Sequence, residues 1–125
     1  MDCTLKLDVV DSNVEIGHLP ANASCGLRRI ALIGNHVPRR CGIATFTADT
    51  YAALAARYPN IAIDVWAMND RPDAYDYPET VTGTIEQHDP ISYSLAAQAI
   101  EASGADLVWI QHEFGIFGGL AGDLY

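Results

Sequence analysis

Apolar positions along this chain fall into short blocks set apart by polar, turn-forming stretches. The first block alternates: Leu5, Leu7 and Val9, then Val14 and Ile16, around Asp11-Ser12-Asn13. A period of two broken by turn formers predicts a short hairpin or N-terminal extension, and residues 20–26 read as a linker. Residues 29–34, Arg-Ile-Ala-Leu-Ile-Gly, are apolar without alternation, as in a strand covered on both faces of a parallel sheet. After a loop, Tyr51, Leu54, Ala55 and Tyr58 recur at helical spacing, predicting a helix over about 45–58 that Pro59-Asn60 ends. Residues 61–68 predict a second strand. Pro72, Pro78 and the aspartates at 70, 73 and 76 make 69–80 irregular, and 81–87 alternate weakly as a third strand.

Asp89-Pro90 is a helix start, with Asp as cap and Pro at the first helical position. Leu95, Ala96, Ala99 and Ile100 would form that helix's apolar face, with Gly104 stopping it in the left-handed conformation. Residues 105–110 predict a fourth strand with Trp109 and Ile110 in the core. Residues 115–119 read as a glycine-rich turn, and 120–125 as the beginning of another helix. Strands separated by helical crossovers predict an α/β fold with a doubly wound, Rossmann-like parallel sheet. Such a sheet normally continues beyond this point, so a truncated domain is expected. The expected division is an extension over 1–27 and a partial domain over 28–125.

Composition narrows the partners. Seven Lys and Arg oppose 16 Asp and Glu, a formal charge of −9, and half the residues are hydrophobic. The acidic excess disfavours nucleic acid and anionic membranes, whereas a small anion can still be held where cations cluster, as at Arg39-Arg40. The start has no signal-peptide pattern, and no apolar run approaches the ~20 residues that cross a bilayer. Cys3, Cys25 and Cys41 are odd in number and lack CxxC spacing, which fits a reduced, cytoplasmic protein without a disulfide framework.

Chemistry is expected where the strands end. Gly34-Asn35-His36, Met68-Asn69-Asp70, Glu86-Gln87-His88 and Gln111-His112-Glu113 follow the four strands, and parallel strands deliver all four to one edge. Open α/β sheets bind ligands outside that edge. Loops are polar in any folded chain, and His88 belongs to an ordinary helix cap. The loop Pro38-Arg39-Arg40-Cys41-Gly42-Ile43-Ala44-Thr45 leads into the first helix, whose unpaired amides and dipole favour an anion. It is neither GxGxxG nor GxxxxGK[ST], so no dinucleotide cofactor is indicated. Cys41 as a nucleophile lacks a nucleophile elbow and reads better as a plain thiol. A metal set from His36, Cys41, His112 and Glu113 fails the HExxH pattern, because position 116 is Ile. No metal is expected. Phe114 and Phe117 either pack or wall a sugar site.

The segments Pro38-Arg39-Arg40-Cys41-Gly42-Ile43-Ala44-Thr45-Phe46-Thr47 and Gln111-His112-Glu113-Phe114-Gly115-Ile116-Phe117-Gly118-Gly119 resemble the N-terminal domain of bacterial family 4 glycosyltransferases with the GT-B fold. Ala67-Met68-Asn69-Asp70 and Ser103-Gly104-Ala105-Asp106 fit as well, so the resemblance covers roughly 28–125. It implies the acceptor-side half of a retaining transferase that moves a sugar from a nucleotide-sugar to an acceptor hydroxyl without a metal. Its co-substrates would be a nucleotide-sugar donor and a sugar or glycan acceptor, with no separate cofactor.

Carried over, Gly42 and Ile43 would offer amides to the departing diphosphate, beside Arg39. His112 or Gln111 would face the transferred sugar, and Glu113, Phe114, Gly115 and Gly118 would shape the acceptor side, with Asn69 on the same rim. His112 and Glu113 are the catalytic candidates. The first loop carries one glycine where many relatives have two. Glu79 and Glu86 have the wrong spacing to supply the family's donor-side glutamate pair, so the donor domain is expected to be missing from this sequence. The expectation is that this chain alone transfers no sugar. A different class of reading is a non-catalytic α/β module that binds a small sugar or anion. An unpaired sheet edge would also predict self-association.

Overall fold

A computed structural model describes residues 26–113 and 115–119. Residues 1–25 of the extension predicted over 1–27, the helix start at 120–125 and Phe114 lie outside the described residues. The order is β1 (Arg29–Gly34), α1 (Gly42–Arg57), β2 (Ala62–Asn69), β3 (Val81–Glu86), α2 (Pro90–Ser103) and β4 (Leu107–Ile110). The four strands form one sheet in the order β3-β2-β1-β4, and every pair is parallel. This is the expected α/β, Rossmann-like arrangement.

Side chains alternate across a strand, so β1 feeds two layers. Ala31 and Ile33 pack with Met68, Ile85, Ala96, Ile100, Ile116 and Phe117 on the face covered by α2. The opposite face holds the fully buried Leu32, Val65 and Ala67, and α1 lays Ala44 and Thr47 against it. β2 and β3 are joined by the irregular 70–80 segment, with Trp66 and Gly83 side by side in register. Arg29 makes a two-pronged ion pair with Asp64 at 2.7 and 2.9 Å, tying the start of β1 to β2.

Several expectations need correction. α1 begins at Gly42, because the Cys41 side chain caps it by accepting from the Ala44 amide at 3.4 Å. That first turn has no apolar repeat to betray it. The inward face of α1 is Ala44 and Thr47, whereas Tyr58 is exposed with Arg57 5.1 Å over its ring. On α2 only Ala96 and Ile100 of the predicted stripe are buried, and Leu95 is 61% exposed, since α2 lies against β3. α2 otherwise follows its signals: Asp89 accepts from the Ile91 amide, and Gly104 closes the helix at φ 73°. β4 starts at Leu107. Trp109 and Ile110 are each 39% exposed rather than core, because among the described residues β4 has a neighbour on one side only.

Candidate functional site

The chain steps outward from β1 to β2 to β3, then returns to the far side of β1 for β4. The reversal falls between β1 and β4, and in open α/β sheets the crevice outside the strand ends at this point receives the ligand. The loops flanking it are 35–41, leading into α1, and 111–119. His36, the Gly42 turn and His112 therefore all follow carboxyl ends of parallel strands. Gly34 closes the floor: a Cβ there would lie 2.9 Å from both Gln111 Cβ and Thr47 Oγ1. Gln111 is buried, with its amide N–H donating to Ile33 O at 2.8 Å and its Nε2 to Thr50 Oγ1 at 3.2 Å.

The polar residues ending the strands differ in burial. Asn35, His36, Asn69, Gln87 and Gln111 are all buried, Asn35 and His36 to 1% and 3% exposure. A buried polar group must be hydrogen-bonded, and these are. Asn35 accepts from Arg39 Nη1 at 3.1 Å and donates to Cys41 Sγ at 3.5 Å. Arg39 also reaches Met68 O at 3.4 Å, so this guanidinium staples the loop over the ends of β1 and β2. Asn69 donates to Glu86 Oε1 at 3.0 Å and accepts from the Tyr77 hydroxyl at 2.5 Å. The His36 ring meets the Tyr77 ring edge-on, centroids 6.5 Å apart, with Nδ1 2.8 Å from Val37 O.

Arg40, Gly42, His88, His112 and Glu113 are open to solvent, and Asp70 and Glu86 are half-buried. A Cβ on Gly42 would meet nothing within 4 Å, so packing does not require glycine there. In the first turn of α1 the Ala44 amide is turned to the Cys41 sulfur, ahead of which stand the amides of Gly42 and Ile43. The His112 ring stacks on Phe117, centroids 5.4 Å apart and planes 9° apart. Phe117 itself is 4% exposed and packs in the core cluster. The glycine turn is folded back toward β3 and α2: Gly115 O accepts from Gln87 Nε2 at 2.8 Å, and the Gly118 amide donates to the Tyr93 hydroxyl at 3.0 Å. Tyr93 in turn donates to Gln87 O at 2.9 Å.

Electrostatics follow from these bonds. Burial, with Tyr75, Asp70 and Glu86 nearby, pushes the Tyr77 hydroxyl up to about 12 against the partial relief of Arg39. Burial raises Tyr93 too, partly offset by the Gly118 amide. Asp70 feels a desolvation penalty, outweighed by the Tyr75 hydroxyl it accepts from and by Arg39 and Arg71, so its carboxyl lies below the usual range.

The pattern of strand ends pointed to Asn35, Asn69, Gln87 and Gln111, but as a rim rather than as buried braces. Tyr75, Tyr77 and Tyr93 escaped notice, because an aromatic in an irregular loop or on a helix carries no spacing that marks it. Among the described residues, no three His, Cys, Asp or Glu side chains converge as metal ligands, and no helix is long and apolar enough to cross a membrane. No protein-family model, curated protein or solved structure matches the chain.

Proposed function

We propose that this chain is the acceptor-side domain of a sugar-transferring enzyme, working with a second domain that holds the nucleotide of a nucleotide-sugar donor. The observation that carries the reading is the β1/β4 reversal, with the start of α1 on one side of the crevice and the exposed His112-Glu113 pair on the other. In this reading the Gly42 and Ile43 amides, with Arg40 beside them, stabilise charge growing on the departing diphosphate. His112, its ring held flat against Phe117, contacts the transferred sugar, and Glu113 engages the acceptor hydroxyl. Asn35, Asn69, Gln87 and Gln111 hold the loops in register for that geometry.

The test is thermal denaturation of the full chain with UDP-glucose, GDP-mannose and free hexoses. A ligand that binds only the folded state at 100 times its Kd stabilises by about 2.7 kcal/mol, a readable rise in Tm. The proposal expects a saturable rise with a nucleotide-sugar or a sugar, and no transfer by the chain alone. An unchanged Tm across the panel contradicts the site, and sugar transfer by the isolated chain contradicts the division of labour. Binding that persists without transfer when the donor domain is supplied marks the chain as a non-catalytic sugar or anion module.

A further inference from the structure

Among the described residues His36 is the buried histidine, 3% exposed, and neither the anion turn nor the His112-Glu113 pair involves it. Its ring is held in place on two sides. Nδ1 lies 2.8 Å from Val37 O, and the Tyr77 ring meets it edge-on, with centroids 6.5 Å apart. A carbonyl oxygen only accepts, so Nδ1 carries the proton, and in the neutral imidazole the lone pair is on Nε2. Among the described residues no buried side-chain nitrogen or oxygen lacks a hydrogen-bond partner, and no protein group is bonded to Nε2. Nε2 is therefore the polar atom through which this ring meets solvent. It is an acceptor with a fixed tautomer at the carboxyl end of β1.

The groups beside it come from the loop after β2. β1 and β2 stay paired up to Gly34 and Ala67, so His36 and Asp70 leave the sheet side by side. The Tyr75 ring packs 5.8 Å from Tyr77, and its hydroxyl donates to Asp70 Oδ1 at 3.0 Å. Oδ2 of this half-buried carboxylate is left as a second acceptor. The Tyr77 hydroxyl is committed to Asn69, and Arg39 Nη1 to Asn35 and Met68 O. The ends of β1 and β2 thus offer two acceptors, Nε2 and Oδ2, beside two tyrosine rings.

Charge narrows what they would accept. Arg39 and Arg71 both act on the Asp70 carboxylate, which disfavours a cation, and the carboxylate itself disfavours an anion. A hydroxyl brings a donor without bringing charge. We propose that His36 Nε2 and Asp70 Oδ2 form a sugar subsite, in which two neighbouring hydroxyls of a neutral glycoside donate one to each. Tyr75 and Tyr77 supply the aromatic wall, and a few fixed polar groups beside aromatic surface are the usual make-up of a small-molecule site. One strand spacing, about 4.8 Å, separates this subsite from the β1–β4 crevice, so a glycan of two or more units spans both. The subsite does not depend on sugar transfer, since a non-catalytic sugar-binding module would use it in the same way.

NMR of the full chain with ring-15N-labelled histidine, titrated with methyl α-D-glucopyranoside, methyl α-D-mannopyranoside and maltose, tests the subsite. The expected result is a proton on His36 Nδ1 in the free protein and a saturable shift of Nε2 with at least one of the three sugars. His36→Phe keeps the ring and removes the acceptor, so binding should be lost. Asp70→Ala should weaken it about tenfold with unchanged circular dichroism, and tests the pair even where His36→Phe does not fold. A proton on Nε2 in the free protein overturns the proposal. So does an Nε2 resonance that no sugar moves, or full affinity in Asp70→Ala. Inorganic pyrophosphate, titrated in parallel, separates this subsite from the crevice. A sugar response at His36 with silent Gly42 and Ile43 amides keeps the subsite and removes the transferase reading, and the reverse pattern keeps the crevice and removes the subsite.

Discussion

Gly34 and Gln111 meet across the β1–β4 crevice so closely that a Cβ on Gly34 would stand 2.9 Å from the Gln111 Cβ. The same Cβ would press on the Thr47 hydroxyl of α1, which is fixed by its bond to Ile43 O at 2.8 Å. Neither neighbour is the far end of a flexible side chain. Gly34→Ala should therefore cost about 1–3 kcal/mol by overpacking and force the two rim loops apart. Urea unfolding gives the cost, and a shift confined to the midpoint with unchanged slope would identify it as stability.

Gly42→Ala behaves in the opposite way. The added methyl meets open space in the first turn of α1, and alanine is the better helix former, so stability should hold or rise by up to about 1 kcal/mol. Ligand affinity should fall, because the methyl occupies the approach to the Gly42 and Ile43 amides. Calorimetric titration beside thermal melting separates the two effects; unchanged affinity with a nucleotide-sugar would remove the anion role of this turn.

Gly83→Ala probes the far side of the sheet. Its Cβ would fall 2.5 Å from the Trp66 ring, which is packed against the core. Trp66 must swing off its strand partner, at about 1–2 kcal/mol. A change in Trp66 fluorescence together with a lower urea midpoint is expected, without loss of ligand affinity, since β3 lies away from the crevice.

Asp70 and Tyr77 are among the groups through which stability should depend on pH. Asp70 has a folded-state value below the ordinary 3.8, so its contribution is present above that value and lost as pH falls through the depressed one. Tyr75→Phe removes the hydroxyl it accepts from, and the Asp70 carboxyl resonance should then titrate nearer the ordinary range. Tyr77 is raised from 10.0 to about 12, so its contribution is complete below pH 10 and fades as pH climbs toward 12. Tyr77→Phe should remove that alkaline dependence, at the expense of leaving Asn69 Oδ1 without its donor. Absorbance of tyrosinate followed alongside circular dichroism reads both.

The architecture was largely written in local pattern. Apolar runs marked β1 and β4, a run broken only by Asp64 marked β2, and Asp89-Pro90 with Gly104 bounded α2 to the residue. What the pattern missed depends on contacts distant in sequence. Trp109 looks like core by type, yet its exposure is decided by which strands lie beside β4. Leu95 keeps helical spacing with Ala96 and Ile100, but α2 is seated on β3 in a way that leaves Leu95 outside. At the rim, residue type located the right strand ends without distinguishing buried braces such as Asn69 from open groups such as His112. The Tyr77–Asn69–Glu86 chain was invisible, because its members come from a loop and two different strands.

The most direct test of a ligand crevice at the β1–β4 reversal is an amide NMR titration of the full chain with inorganic pyrophosphate and then UDP-glucose. Shifts should concentrate at Gly42, Ile43, Gln111 and His112, saturate with ligand, and leave β3 unchanged. Movement gathered instead around Gly83 and the outer strand, or no saturable shift at those four amides, would contradict the account.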